Sequence, residues 1–476
     1  MKLRKHIHAI DRKLIYIHLC GAVGLLGVLM VPPIFTSLFF GELKYALIFG
    51  SLSLGTFVFG FLNWKKISYQ KELKLIDAVV VTALVYLVFS VVGAIPFLPV
   101  KPFLDGLFES MSGFTTTGLT MMNEAKLPSS LIFFRAYSQW LGGMGVIVIS
   151  LAILIRPGKA AFKLYSSEFG EENIMGSVEA TAKMVIKIYL ALTVLGFVAF
   201  LLAGMGVFDG LIHILTTIPT GGFSAYSESI GYYDSSIISL TVSIFMILGA
   251  ISFPLYYQAL KDGALKLVED EQARCLFVLI LIGSIIFLFS FGLSFQNIVP
   301  GIFQTVSSIT TTGFNTVPLG SLSEIEKAVT TFFMIIGGNT GSTAGGIKIF
   351  RFLILLGFIR VTFFRSLLAP EAKIPLKYGK LEVGEREAES VAAFFVIYLI
   401  ILFVSTLAIM ALENLGFTNT LFEVASAEGT VGLSVGITSS SLTFGSKLIL
   451  ILNMWLGRLE ILPVLVALYP GSWSRS

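Results

Sequence analysis

Charge is what this sequence has least of. Only 13% of its 476 residues are Asp, Glu, Lys or Arg, about half the share usual in soluble domains. Hydrophobic residues make up 55% and the mean hydropathy is +0.88. A water-soluble globule could not cover itself with so few charges, and the same numbers exclude intrinsic disorder and a coiled coil. Cysteine is almost absent. Cys20 and Cys275 lie far apart in apolar segments, which speaks against a disulfide framework or a metal site. His6, His8, His18 and His213 show no metal-ligand spacing. Strands of about ten alternating residues, the mark of a membrane β-barrel, are missing. The basic N-terminus has no cleavage site after a short apolar core, so the first apolar run reads as a retained span. The net charge of +4 is spread too thinly to suggest a nucleic-acid partner.

What is there is a series of long apolar runs. A spanning helix needs about 20 apolar residues, and ten segments qualify. They are Leu14–Phe40, Tyr45–Asn63, Leu75–Pro99, Leu131–Ile155, Ile188–Gly204, Ile237–Leu260, Cys275–Gly292, Glu326–Ile359, Val391–Leu412 and Lys447–Leu468. The expected class is an all-α polytopic membrane protein in contact with lipid. Most Lys and Arg fall on one side of these spans, among them Lys2, Arg4, Lys5, Arg12, Lys13, Lys65, Lys66, Arg156, Lys261, Arg360, Arg365, Lys373 and Lys377. The other side holds Lys44, Lys101, Lys126, Arg135, Lys327 and Lys447. The positive-inside bias therefore places both termini in the cytoplasm.

Four short stretches align without gaps on a glycine: LFESMSGFTTTGLT (107–120), LIHILTTIPTGGFS (211–224), IFQTVSSITTTGFN (302–315) and LFEVASAEGTVGLS (421–434). The anchors are Gly118, Gly222, Gly313 and Gly432. Two residues before each stands Thr: Thr116, Thr220, Thr311 and Thr430. Two residues after come Thr120, Ser224, Asn315 and Ser434. The anchors are far enough apart for a helix–re-entrant loop–helix unit each. The expected organisation is a two-span extension (1–70) and four pseudo-fourfold units (71–160, 161–265, 266–370, 371–476) around a central ion pathway.

An ion entering a bilayer must exchange its hydration shell for protein oxygens, and rings of backbone carbonyls with Thr hydroxyls serve this purpose in potassium-selective filters. Glycine lets the backbone turn its carbonyls to the axis at positive φ. Each stretch before the Thr has the length of a half-helix, whose C-terminal dipole favours a cation at the membrane centre. The candidate filter residues are Thr116, Thr117, Gly118; Thr220, Gly221, Gly222; Thr311, Thr312, Gly313; and Thr430, Val431, Gly432. Glu428, four residues before the last anchor, either ligates the cation or braces the loop by accepting backbone N–H bonds. Glu109, His213, Gln304 and Glu423 share one column and read as polar packing.

The third unit departs from the others. As one straight helix, Glu326–Val361 would be about 54 Å long against a hydrocarbon core of about 30 Å. Its middle, GGNTGSTAGGIK (337–348), cannot hold a regular lipid-facing helix, and irregular backbone at this depth must line a cavity. Gly337, Gly338, Asn339, Thr340, Gly341, Ser342, Thr343, Ala344, Gly345 and Gly346 read as a gate below the filter. A phosphate-binding loop is excluded, because Gly341-x4-Gly346 is followed by Ile347 rather than Lys. Arg458 falls near the middle of the last span, where an ionisable residue is a functional hypothesis. It either faces the pore as a barrier to cations or makes a structural bond to Glu460 or a gate-loop carbonyl.

Through SGFTTTG (112–118), TGGFS (220–224), TTTGFN (310–315), GNTGSTAGGIK (338–348) and GRLEI (457–461), the chain resembles the Trk/Ktr/HKT superfamily of potassium transport proteins, most closely its TrkH/TrkG-type subunits. The resemblance covers 75–468. It implies a K⁺-translocating subunit of the cytoplasmic membrane with one selectivity glycine per loop. Some HKT members carry Ser at the first glycine and prefer Na⁺, whereas this chain keeps Gly118. The resemblance further implies an intramembrane gate loop at 337–346, a basic residue matching Arg458, a homodimer, and a cytosolic TrkA-like regulatory ring that responds to NAD(H) or adenine nucleotides. No dinucleotide fingerprint occurs in this chain, so a cofactor is expected only on such a partner and K⁺ is the one bound ion. The basic segment Arg360–Lys380 is either its docking surface or lipid-facing. Na⁺- or H⁺-coupled symport is the alternative mechanism. An enzyme is disfavoured, because acids and histidines are scarce in the spans.

Overall fold

The computed structural model describes residues 10–65, 75–154, 178–367, 374–379 and 381–473. The candidate orientation residues Lys2, Arg4, Lys5, Lys66, Arg156 and Lys373 lie outside them. The apolar runs become helices because in hydrocarbon a backbone satisfies its N–H and C=O groups most simply within its own helix. Among the described residues, strand occurs only as the short hairpin Lys377–Tyr378 with Leu381–Glu382.

The N-terminal extension is a helical pair. Arg12–Leu29 continues as Val31–Phe39, and Pro32 and Pro33 sit in the first turn of the second piece. The expected span Leu14–Phe40 is thus interrupted at Met30, where prolines supply no N–H to the preceding turn. The returning helix Leu43–Lys65 packs on it through small residues. A Cβ on Gly60 would strike the backbone of Gly24, and Gly27 lies against Ser53 and Phe57. Ser53 Oγ donates to the Gly27 carbonyl at 2.7 Å. Close backbone approach of this kind drives helix association in lipid. The loop joining the pair is tied to the first unit, where Glu42 accepts from the N–H of Ser129 at 2.8 Å and of Ser130 at 3.0 Å.

Each of the four units begins with an ingoing helix: Leu75–Gly93, Val178–Leu202, Glu271–Phe291 and Glu385–Glu413. A short pore helix follows: Phe103–Phe114, Val207–Thr217, Phe295–Ile309 and Phe417–Glu428. The outgoing stretches differ. Ser129–Leu154 is one helix. Ser236–Ala250 and Phe253–Asp262 meet at 92°. Glu324–Ile336 and Ile349–Leu367 are separated by the glycine-rich stretch. Phe444–Arg458 and Leu462–Leu468 are separated at 459–461, where Glu460 and Ile461 both have φ of 59°.

Two expectations are corrected here. Ile237–Leu260 is not one straight helix, because Pro254 opens the second helix and the chain turns at Ile251–Ser252. Lys447–Leu468 is likewise divided, so Arg458 stands at a helix end. Among the described residues, six helices are long and apolar enough to cross a membrane, seven if the bent pair is one span, against ten expected.

One apolar core joins the N-terminal pair to units one and four through Phe108, Phe134, Tyr398, Phe422 and Trp455. A second joins units two and three through Tyr189, Phe245, Phe303 and Phe333. Lys447 closes the circle between units four and one by pairing with Asp105 at 2.6 Å. The outer helices expose Leu47, Val194, Leu195, Leu281 and Phe289, an apolar surface suited to lipid.

Candidate ion pathway

All four pore helices end the same way. The Thr two residues before each anchor takes a left-handed turn, with φ of 53°, 53°, 53° and 49° at Thr116, Thr220, Thr311 and Thr430. A β-branched residue rarely adopts this conformation. It is held by the next amide: Thr117, Gly221, Thr312 and Val431 donate to the carbonyls of Ser112, Thr216, Ser307 and Ser426 at 2.8, 2.8, 3.0 and 2.8 Å. The anchors then have φ of 91°, 76°, 85° and 97° at Gly118, Gly222, Gly313 and Gly432.

These turns bring the four loops into a closed ring. A Cβ on Gly118 would run into the Gly221 carbonyl oxygen, one on Gly222 into that of Thr312, one on Gly313 into that of Val431, and one on Gly432 into that of Thr117. Each glycine thus faces the carbonyl before the next glycine around the axis. All twelve candidate filter residues belong to this ring or its underside.

The Thr hydroxyls are used unequally. Thr311 Oγ1 accepts from the Gly345 amide at 2.6 Å, and Thr220 Oγ1 lies 3.4 Å from Thr343 Oγ1. Those of Thr116 and Thr430 have no partner among the described residues.

The sequence reading missed a hydroxyl column six residues before the anchors, although the alignment contains it. Ser112 and Ser426 accept from the anchor amides of Gly118 and Gly432 at 3.0 Å through their side chains, and Ser307 Oγ donates to Phe314 O at 2.5 Å. The column of Glu109, His213 and Glu423 ties each pore helix to its loop at Thr120, Ser224 and Ser434. The side-chain amide of Gln304 has no partner among the described residues. Arg135 was also missed. It is 2% exposed, donates to Glu109 at 2.7 Å, reaches Glu124 at 3.4 Å and stacks 4.2 Å over Phe223. Above the ring Arg135, Glu124, Thr120, Ser224, Ser434 and the four anchors help to line a cavity of 370 Å³.

Below the ring lies the glycine-rich stretch. Asn339 N and Thr343 N donate to the Ala250 and Gly249 carbonyls at 3.0 and 3.3 Å. These are carbonyls that the end of helix Ser236–Ala250 leaves free, which explains why the bend and the loop occur together. Thr343 Oγ1 also donates to Ile218 O at 2.8 Å, and Gly346 N donates to Gly429 O at 3.1 Å. Gly337, Gly341 and Gly346 need their positive φ of 73°, 77° and 72° for this path.

Arg458 is bound rather than free. Its Nη1 donates to Thr343 O at 2.7 Å and its Nη2 to Gly142 O at 3.3 Å. Glu460 pairs with Arg351 instead, at 2.5 Å. Of the two structural bonds the sequence offered, the one to a gate-loop carbonyl is present and Glu460 is taken by Arg351.

Glu428 is fully buried and neither carboxylate oxygen has a partner among the described residues, so it does not brace the loop through their backbone N–H groups. Burying such a group unpaired costs at least about 1–3 kcal/mol. The Glu428→Ile protein, with the residue type of Ile218 and Ile309, should therefore unfold at a higher temperature than wild type. A lower midpoint in a thermal scan would mean that the carboxylate has a partner.

The TrkH family model, described as a cation transport protein, matches residues 52–472. The chain is 34% identical over 455 residues to an uncharacterised cation transporter of Methanocaldococcus jannaschii, covering 94% of this chain and 93% of the relative. It is 32% identical to the Trk system potassium uptake protein TrkH of Halomonas elongata, covering 94% and 96%. The crystal structure of the potassium transporter TrkH from Vibrio parahaemolyticus superposes with a TM-score of 0.86 at 30% identity, over 96% of this chain and all of that one. On these grounds the chain belongs to the TrkH family of cation transport proteins.

Proposed function

We propose that this chain is a potassium-selective translocating subunit for K⁺ uptake across the cytoplasmic membrane. Permeation is channel-like, through the four-loop ring. The observation that carries this reading is the closed cycle in which each anchor glycine faces the next loop's carbonyl. Four carbonyls converging at one axis replace hydration oxygens around a dehydrated cation. The four pore-helix C-termini beneath add negative potential. Two relatives named as potassium uptake or potassium transport proteins supply the choice of K⁺.

Residues 337–346 act as the gate. They lie under three of the four loops, at Thr220, Thr311 and Gly429. Arg458 holds the loop closed and adds a positive barrier just inside the ring. Both termini are cytoplasmic, which puts the 370 Å³ cavity at the outer mouth. The subunit works as a homodimer with a cytosolic nucleotide-binding regulator. Relatives named for a Trk system support a multicomponent assembly.

Coupled symport is the second reading, and the unpartnered carboxylate of Glu428 is the observation that favours it. K⁺ flux into liposomes under a K⁺ gradient alone separates the two. Channel-like permeation predicts flux without any Na⁺ or proton gradient. Flux that requires either gradient would replace this reading with symport.

A further inference from the structure

The residue before each anchor glycine is Thr117, Gly221, Thr312 or Val431. Unit two alone has no side chain there. Thr117 and Thr312 turn their hydroxyls to Thr115 and Thr310, 2.8 Å away in both cases. Gly221 leaves that space open, and the side-chain amide of Gln139 occupies it. A Cβ on Gly221 would lie 2.5 Å from Gln139 Cδ and Oε1. Gln139 comes from the outgoing helix of unit one, Ser129–Leu154, and is fully buried. Its Nε2 donates to the Gly221 carbonyl at 2.6 Å, and its Oε1 accepts from the Phe223 amide at 3.1 Å.

The Gly221 carbonyl is the ring member that faces Gly118. Among the described residues, no protein donor reaches the carbonyls of Thr117, Thr312 or Val431. The outgoing helices show the same asymmetry. Gly142, Gly249 and Gly457 each lie against the carbonyl of the residue four before the anchor, namely Phe114, Ile218 and Glu428, which sets their register. Three residues before these glycines stand Gln139, Met246 and Met454, all fully buried. Gly221 and Gln139 are therefore matched exceptions on the two sides of one contact.

We propose that Gln139 is a positioning residue that sets the discrimination of the ring between dehydrated K⁺ and Na⁺. This rests on the permeation function proposed above. Gly221 and Gly222 are consecutive glycines, so the second loop has the greatest backbone freedom of the four. Gln139 bridges the residues on either side of Gly222 and removes that freedom. A carbonyl oxygen has two lone pairs; one engages Gln139 and the other stays available at the axis.

The test uses the whole protein and two readouts: K⁺ and Na⁺ flux in liposomes, and thermal stabilisation by K⁺ relative to Na⁺ in detergent. Gln139→Met should lower the K⁺/Na⁺ flux ratio about tenfold, the effect of one hydrogen bond to a selective ligand, while total cation flux persists. Gln139→Glu retains the size and the acceptor for Phe223 but loses the donor to Gly221, and should show the same loss. The double variant Gln139→Met with Gly221→Thr recreates the pairing that the same register gives Met246 with Thr312 and Met454 with Thr117, and should recover most of the ratio. An unchanged ratio in folded Gln139→Met, or no recovery in the double variant, overturns the assignment. Wild type that prefers K⁺ in neither readout would instead sink the permeation reading itself.

Discussion

Replacing Gly118 by Ser will weaken the preference for K⁺ over Na⁺ by about tenfold or more. A residue with a Cβ at a left-handed φ is penalised by about 1–2 kcal/mol, and about 1.4 kcal/mol corresponds to a factor of ten. At Gly118 φ is 91°, and the added Cβ would meet the Gly221 carbonyl oxygen. That oxygen is a ring member already fixed from behind by Gln139 at 2.6 Å, so it cannot simply yield. The serine variant must displace either its own loop or the second one, and both distort the ring. Na⁺ and K⁺ fluxes measured side by side on the folded variant check this. An unaltered ratio would mean that the ring is not built in this register.

The second large effect is expected at the glycine-rich loop. Deleting Ser342–Ala344 removes the Thr343 hydroxyl bond to Ile218 O, its amide bond to Gly249 O and the bond its carbonyl accepts from Arg458. Neutral hydrogen bonds contribute roughly 0.5–1.5 kcal/mol each and charge-assisted ones roughly 1.5–3. Losing three should raise basal K⁺ flux well over tenfold. Arg458→Gln, which loses the charged donors to Thr343 O and Gly142 O but leaves the other loop bonds in place, should give a smaller rise of about tenfold. A deletion variant that elutes and unfolds like wild type but conducts no faster would show that this loop does not obstruct the pathway.

The fold was legible wherever it depends on local pattern. Apolar runs revealed the ingoing helices, and the glycine-anchored alignment revealed four loops that the structure brings into one ring. The break at 337–348 was visible because a straight helix over that length would overrun the bilayer. Other breaks were not. Pro254 is tolerated at the start of a helix, so the run 237–260 reads as continuous. The 92° bend comes from a partner loop distant in sequence that takes the Gly249 and Ala250 carbonyls. Arg458 was singled out by its depth, but its partner Thr343 lies in another unit. Gln139 and Arg135 were missed for the same reason: a repeat alignment displays what the units share, whereas Gln139 serves unit two from unit one and Arg135 pairs with Glu109 and Glu124 of its own unit while stacking on Phe223 of the next. The hydroxyls of Ser112, Ser307 and Ser426 were in the alignment all along, and only their bonds to the loops give them meaning.

The central claim is that a monovalent cation binds on the axis among the carbonyls of Thr117, Gly221, Thr312 and Val431. The most direct test is an experimental structure of the protein grown in Rb⁺, with the anomalous signal of Rb⁺ locating the ion. The account predicts an Rb⁺ peak on the axis within coordination distance of those four oxygens, lost when Na⁺ replaces Rb⁺. Rb⁺ bound elsewhere, with the ring empty in a protein that transports Rb⁺, would contradict it.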